Sequence, residues 1–230
     1  MLWRFALILL CLGLGGATPV GRPVDVALVL AVDVSSSVDE ARFRLQQSGY
    51  AAAFRNPMVQ AALLGGPERA VSVAYVQWAG ARTQHVAVAW TLIDSEAEAQ
   101  DLADRIEATA RLDEGSTSIS GAISFAMALF DTSPYPPGRR VIDVSGDGSN
   151  NSGRMANLAR DEAVAAGITI NGLPILAVEA ELDRYYRDNV IGGPGAFLVT
   201  ATSFATFETA IANKLAREVA TGPARRRTPG

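Results

Sequence analysis

Val24 to Ser37 reads VDVALVLAVDVSSS, an apolar run that leaves through a carboxylate and three hydroxyls. A continuous apolar run of this length, bounded by polar residues, fits a central strand buried on both faces of a parallel sheet. Its exit, Asp33-Val34-Ser35-Ser36-Ser37, has two physical readings. Ser37-Val38-Asp39-Glu40 fits a capping box at the start of a helix. Alternatively, Asp33, Ser35 and Ser37 place oxygen donors at i, i+2 and i+4, so that a turning strand end points them the same way around a hard cation.

Outward from this stretch, strand and helix patterns alternate. A helix is expected over residues 39–54, with breaks at Asn56-Pro57 and Gly65-Gly66-Pro67. Two β-rich runs, 71–78 and 84–90, are separated by a connection short enough for an antiparallel hairpin. Helices are expected over 95–111, 118–130, 155–166, 179–189 and 204–219, and strands over 140–145, 167–175 and 197–201. This order predicts an α/β fold with a doubly wound, mostly parallel central sheet flanked by helices and one antiparallel edge strand. Ligands of such sheets bind beyond the carboxyl ends of the strands, near a topological switch point. Asp33 and Asp147 are both expected at strand carboxyl ends, and so on one face.

The chain has 230 residues, 49% of them hydrophobic, and a formal charge of −4. That is enough for one domain with a substantial core. Residues 1–17 carry Arg4, an apolar run from Phe5 to Gly16, and small residues Gly15 and Ala17. They read as a secretory signal peptide, too short for a membrane span of roughly 20 residues. Residues 18–220 are expected to form the domain, and 221–230 a disordered basic tail containing Arg225-Arg226-Arg227. Mild acidity without a basic stripe argues against nucleic acid. The only cysteine, Cys11, lies in the leader, and His85 is the only histidine. Zinc sites of the cysteine–histidine type and cysteine–histidine catalysis are therefore excluded. No Gly-x-Ser-x-Gly elbow and no phosphate-cradling glycine loop is present.

Three loops remain to be weighed together: Asp33 to Ser37, Gly115-Ser116-Thr117-Ser118 and Gly146-Asp147-Gly148. Their hydroxyls and carboxylates suit Mg²⁺, which prefers octahedral oxygen and keeps several waters. Each also has a plainer reading. Thr117 and Ser118 fit the N-cap of a helix at Ile119, and Gly146-Asp147-Gly148 fits a tight turn. The glycines beside Asp147 are expected to let its loop approach closely. Asn150 and Asn151 fit turn formation.

In this order, Asp33-x-Ser35-x-Ser37, Thr117 and Asp147-Gly148 resemble the von Willebrand factor A-domain superfamily and its metal-ion-dependent adhesion site (MIDAS). The resemblance runs from about Pro23 to Ala220. A bacterial family of exported A-domain-like proteins of undefined function is more similar still, through VQWAG, GSTSISGAI, RRVIDVSGDGSNN, GITINGLPI and VIGGPGAF. The resemblance implies a Mg²⁺ or Mn²⁺ site. Ser35, Ser37 and Thr117 would be direct or near-direct ligands, Asp33 and Asp147 would act mainly through water, and an open position would take a carboxylate from a partner protein. The function expected is non-catalytic binding by an exported protein, periplasmic or secreted. A Mg²⁺-dependent hydrolase of phosphate or other esters is the enzyme alternative, disfavoured by the lack of any Lys or Arg expected near the three loops. A structural envelope domain whose metal only pins loops is the other.

Overall fold

The structure, a computed structural model, describes residues 21–220. The expected signal peptide and basic tail lie outside the described residues. A five-stranded sheet has the order β3-β2-β1-β4-β5. Its strands are β1 (Val24–Asp33), β2 (Val71–Trp78), β3 (Gln84–Ile93), β4 (Pro137–Gly146) and β5 (Ile168–Pro174). All neighbours pair in parallel except β2 and β3, whose hairpin places β3 at one edge.

β1 is buried almost throughout, and its alternation sorts its side chains between two cores. Val26, Leu28, Leu30 and Val32 join one cluster with α1 (Glu40–Arg55), α2 (Pro57–Leu63), α3 (Glu96–Glu107) and α7 (Phe207–Ala220). Ala27, Val29 and Ala31 join the other with α4 (Ile119–Leu129), α5 (Ala156–Ala165) and α6 (Leu182–Asn189). Period two in the strand thus produces three layers. Burying each large aliphatic side chain contributes roughly 1.5–3 kcal/mol, which makes β1 the anchor of both cores. Among the described residues, no helix is long and apolar enough to cross a membrane.

Three expectations are corrected. Asn56-Pro57 does not merely break the chain. The Asn56 side chain accepts from the Met58 N–H at 2.9 Å, and Pro57 opens α2, where its fixed φ and missing N–H are harmless. Ser37 does not cap α1; the cap is Asp39, whose Oδ1 accepts from the Arg42 N–H at 2.8 Å. Residues 197–201 run beside β5 but form only isolated bridges at Leu198 and Ala201. The Gly172 N–H donates to Phe197 O, Val199 N–H to Gly172 O, Ala201 N–H to Pro174 O and Leu176 N–H to Ala201 O. The absent rung is the one Pro174 would have to donate, and proline has no N–H.

The chain runs outward from β1 through β2 to β3, then returns to the other side of β1 as β4. Loops after β1 and β4 therefore part in opposite directions, which leaves a crevice at their carboxyl ends.

Candidate metal centre

Asp33 is the last residue of β1, and Asp147 follows the last residue of β4; both are fully buried. The β1 loop turns immediately. The Ser35 N–H donates to Asp33 Oδ1 at 2.7 Å, and the Val38 N–H donates to Ser35 O at 2.9 Å. This turn brings the Ser35 and Ser37 hydroxyls within 3.2 Å of each other, and Ser37 Oγ donates to Asp147 Oδ1 at 2.5 Å. Residues 110 positions apart in sequence thus meet through one hydroxyl–carboxylate bond.

The threonine loop is tied to both neighbours. The Ser36 N–H donates to Gly115 O at 2.9 Å, and the Gly115 N–H donates back to Ser36 Oγ at 3.1 Å. Gly115 holds φ at +129°, a region that disfavours any side chain. Ser118 caps α4, accepting from the Gly121 N–H at 3.2 Å, so Thr117 is not used as a cap. The Thr117 N–H donates to Asn151 Oδ1 at 2.8 Å, and its carbonyl accepts from the Asn151 and Ser152 N–H groups. The Ser120 N–H donates to Asn150 Oδ1 at 2.9 Å. Asn150 and Asn151 therefore clamp the β4 loop to the threonine loop. Thr117 Oγ1 lies alongside Gly148, 3.7 Å from where a Cβ there would sit.

The two glycines beside Asp147 differ. A Cβ at Gly146 would lie 2.7 Å from Asp33 Oδ2 and 3.1 Å from Tyr186 Oη. At Gly148 it would meet only ordinary contacts, the nearest at 3.6 Å. Neither residue has positive φ. Close approach, rather than an unusual dihedral, is what calls for glycine, and only at 146.

Burial pushes the Asp33 carboxyl up to about 7, against the lowering effect of the Ser35 N–H and hydroxyl; the Asp147 charge adds to the rise, and the Asp147 backbone N–H counters it. Burial also raises Asp147, opposed by Ser37 and the Arg42 guanidinium. Asp33 Oδ2 is buried and accepts no hydrogen bond among the described residues. A buried carboxylate oxygen without a partner is expensive unless a cation or a donor is supplied. Ligands about 2.0–2.1 Å from an octahedral Mg²⁺ lie about 2.9 Å from their nearest neighbours. The Ser35–Ser37 oxygen separation of 3.2 Å is close to that spacing. Hard oxygen donors, spacing and the orphaned Asp33 Oδ2 all fit a small divalent cation.

Three neighbours of the site, Arg42, Arg111 and Glu179, were not expected from sequence, whereas Tyr186 was expected to cover the sheet end. Arg42 Nη1 donates to Ser37 O at 2.6 Å and lies 3.4 Å from Asp147 Oδ2. Arg111 Nη2 donates to Val34 O at 2.9 Å and to Ser35 O at 3.2 Å. These two overturn the expectation that no arginine would flank the loops. Arg42 lies in the first turn of α1, directly after the serine loop, and that position is a signal the sequence does contain. Glu179 Oε1 accepts from the Ser149 N–H and hydroxyl, bracing the β4 loop. Tyr186 presents a buried hydroxyl beside Gly146. His85, by contrast, pairs with Asp113 Oδ2 at 3.1 Å on the exposed hairpin edge.

Comparison with known proteins agrees with this architecture. Proximal thread matrix protein 1 from the mussel byssus superposes with a TM-score of 0.62 at 17% identity, covering 86% of this chain and 48% of that one. Another structure of that protein, with a zinc-occupied MIDAS motif, gives 0.62 at 16% identity over 86% and 46%. A von Willebrand factor type A protein from Catenulispora acidiphila gives 0.55 at 18% identity over 86% and 42%. The pilus adhesin SpaC from Lactobacillus rhamnosus GG gives 0.61 at 14% over 86% and 31%. The chain spans less than half the length of each of these proteins. No curated protein matches it. The fold is that of a von Willebrand A domain, and residues 23–223 match the family described as "Protein of unknown function (DUF1194)", to which this chain belongs.

Proposed function

We propose that the chain is an exported A-domain that binds a partner protein through a divalent cation held by Asp33, Ser35, Ser37, Thr117 and Asp147, with Mg²⁺ or Mn²⁺ as the ion. The observation that carries this reading is the buried pair Asp33 and Asp147 at the sheet's switch point, with Asp33 Oδ2 unpartnered and the Ser35 and Ser37 hydroxyls linked to Asp147. Residues 18–220 would be the working domain after removal of residues 1–17, and the periplasm its compartment. An adhesin and a matrix protein among the structural relatives suit a binding role.

A bound ion would supply an electrophilic position for an oxygen ligand of the partner. The chain's own residues do the rest. Ser35, Ser37 and Thr117 offer neutral donors, so the ion would keep much of its positive charge. Gly146 gives Asp33 room, and Asn151 holds Thr117 in place.

Arg42 keeps the phosphate-ester alternative worth a direct test, because a guanidinium beside a metal suits a phosphoryl group. Incubation with a panel of phosphate esters, with and without Mg²⁺, is expected to give no turnover. Turnover abolished by Asp147→Ala would replace binding with hydrolysis as the function. A Mg²⁺-dependent pull-down that captures the same protein from exported fractions, and loses it in Asp147→Ala, is the expected positive result. A thermal shift with Mg²⁺ but no captured partner would leave the ion a structural, loop-pinning role.

A further inference from the structure

We infer that Arg42 is a second anchor of the site, taking one oxygen of a partner carboxylate whose other oxygen faces the cation. This inference rests on the metal reading above and specifies what the open position accepts. Two arginines touch the serine loop, and they are used differently. Arg111 is 17% exposed; its Nη2 is spent on two backbone carbonyls, and its Nη1 lies 3.7 Å from Glu114. It holds the turn. Arg42 is 35% exposed, and its bonds run through Nη1 alone, to Ser37 O and toward Asp147 Oδ2. Nε and Nη2, the other edge of the fork, make no hydrogen bond among the described residues.

That edge is preorganised. The guanidinium carbon lies 5.4 Å from the Phe204 ring centroid, so the plane is held by the ring and by the Ser37 carbonyl together. A fixed guanidinium with an open edge is the usual receptor for a planar, two-oxygen anion. Its distance to Asp147 puts it beside the proposed ion and on the same rim. A like charge there has two opposite consequences. It weakens attraction of the cation to Asp147, and it strengthens attraction of an anion to the loaded site. A residue serving only to hold the loop would move both in the same direction.

The test uses Mn²⁺ as probe ion and acetate as probe carboxylate, read by water-proton relaxation of the protein-bound Mn²⁺. Acetate that displaces bound water lowers the relaxation enhancement. Arg42→Gln is expected to bind Mn²⁺ a few-fold more tightly and acetate about 10-fold more weakly than the parent, with Arg42→Lys in between for acetate. Arg44→Gln, on the same helix and paired with Glu40, should change neither. Acetate affinity unchanged in Arg42→Gln overturns the inference, and so does parallel weakening of Mn²⁺ and acetate. A parent that fails to bind Mn²⁺ even with acetate present overturns the metal reading itself, a result distinct from either.

Discussion

Two regions of this molecule bury carboxylates, and they treat them in opposite ways. Beneath α7, Lys214 Nζ lies 2.5 Å from both Asp143 Oδ1 on β4 and Glu218 Oε1, and all three side chains are fully buried. Asn171 Nδ2 donates to Glu218 Oε1 at 3.0 Å, and Asn171 Oδ1 accepts from the Phe197 N–H at 3.0 Å. The cluster supplies its own cation. At the end of the same sheet, Asp33 and Asp147 are just as buried, yet the cation beside them is Arg42 on the rim, 3.4 Å from Asp147. Asp33 Oδ2 and Asp143 Oδ2 alike accept no hydrogen bond among the described residues, so the contrast lies in the buried ammonium that Asp143 has beside it. A buried carboxylate closed by an internal ammonium is part of the frame. A buried carboxylate at a switch point, flanked only by a guanidinium on the rim, is where the proposed ion would sit.

Removing the internal cation should have the largest effect. Lys214→Met leaves two buried carboxylates facing each other and is expected to destabilise the fold by about 3–5 kcal/mol in chemical denaturation. Asp33→Asn should do the reverse of what burial alone suggests. It removes a desolvated charge, so stability is expected to hold or rise while metal binding fails. Loss of several kcal/mol in Asp33→Asn would make the two regions alike and sink the distinction.

Gly146→Ala places a Cβ 2.7 Å from Asp33 Oδ2. It is expected to lower stability by about 1–3 kcal/mol through overpacking and to weaken the ion at the same time. Gly148→Ala, with ordinary contacts only, should leave stability close to the parent's, and a matched loss at both positions would refute the steric account. Asn151→Ala, which frees the Thr117 N–H, is expected to remove about 1 kcal/mol.

The regions should also separate by pH. Burial and Asp143 raise the Glu218 carboxyl above its usual 4.5. A raised acid binds its proton more tightly when folded. Its contribution to stability is therefore complete below the unfolded value and is lost as pH rises toward the folded one. Asp33, pushed up to about 7, must lose its proton before it can hold a cation. Metal affinity is expected to fall by up to about 10-fold per unit as pH drops below 7. Calorimetry at pH 8 and pH 6 checks this, and equal affinity at the two would contradict it.

Much of the frame was legible in residues 24–32, because a run apolar but for Asp25 and bounded by a carboxylate has few placements other than a central strand. The hairpin, the antiparallel edge and the meeting of Asp33 with Asp147 followed from strand order. What escaped had local causes. Asn56-Pro57 reads as a break unless proline is recognised as a helix opener. Residues 197–201 have strand composition, but their partner Pro174 withholds one donor. Ser37-x-x-Glu40 satisfies a capping pattern that Asp39 fulfils instead, leaving the Ser37 hydroxyl free to reach Asp147. Arg42 meets Asp147 across 105 residues, a distance over which only the fold brings side chains together. Glu179 reaches the site from the segment after β5 for the same reason.

The most direct test is a calorimetric titration of the protein with Mg²⁺ and Mn²⁺, alongside Asp33→Ala with its folded state verified by circular dichroism. One ion bound per chain in the parent and none in the folded variant is the result expected. Equal binding by parent and variant would place any metal elsewhere and contradict the assignment of the Asp33 site.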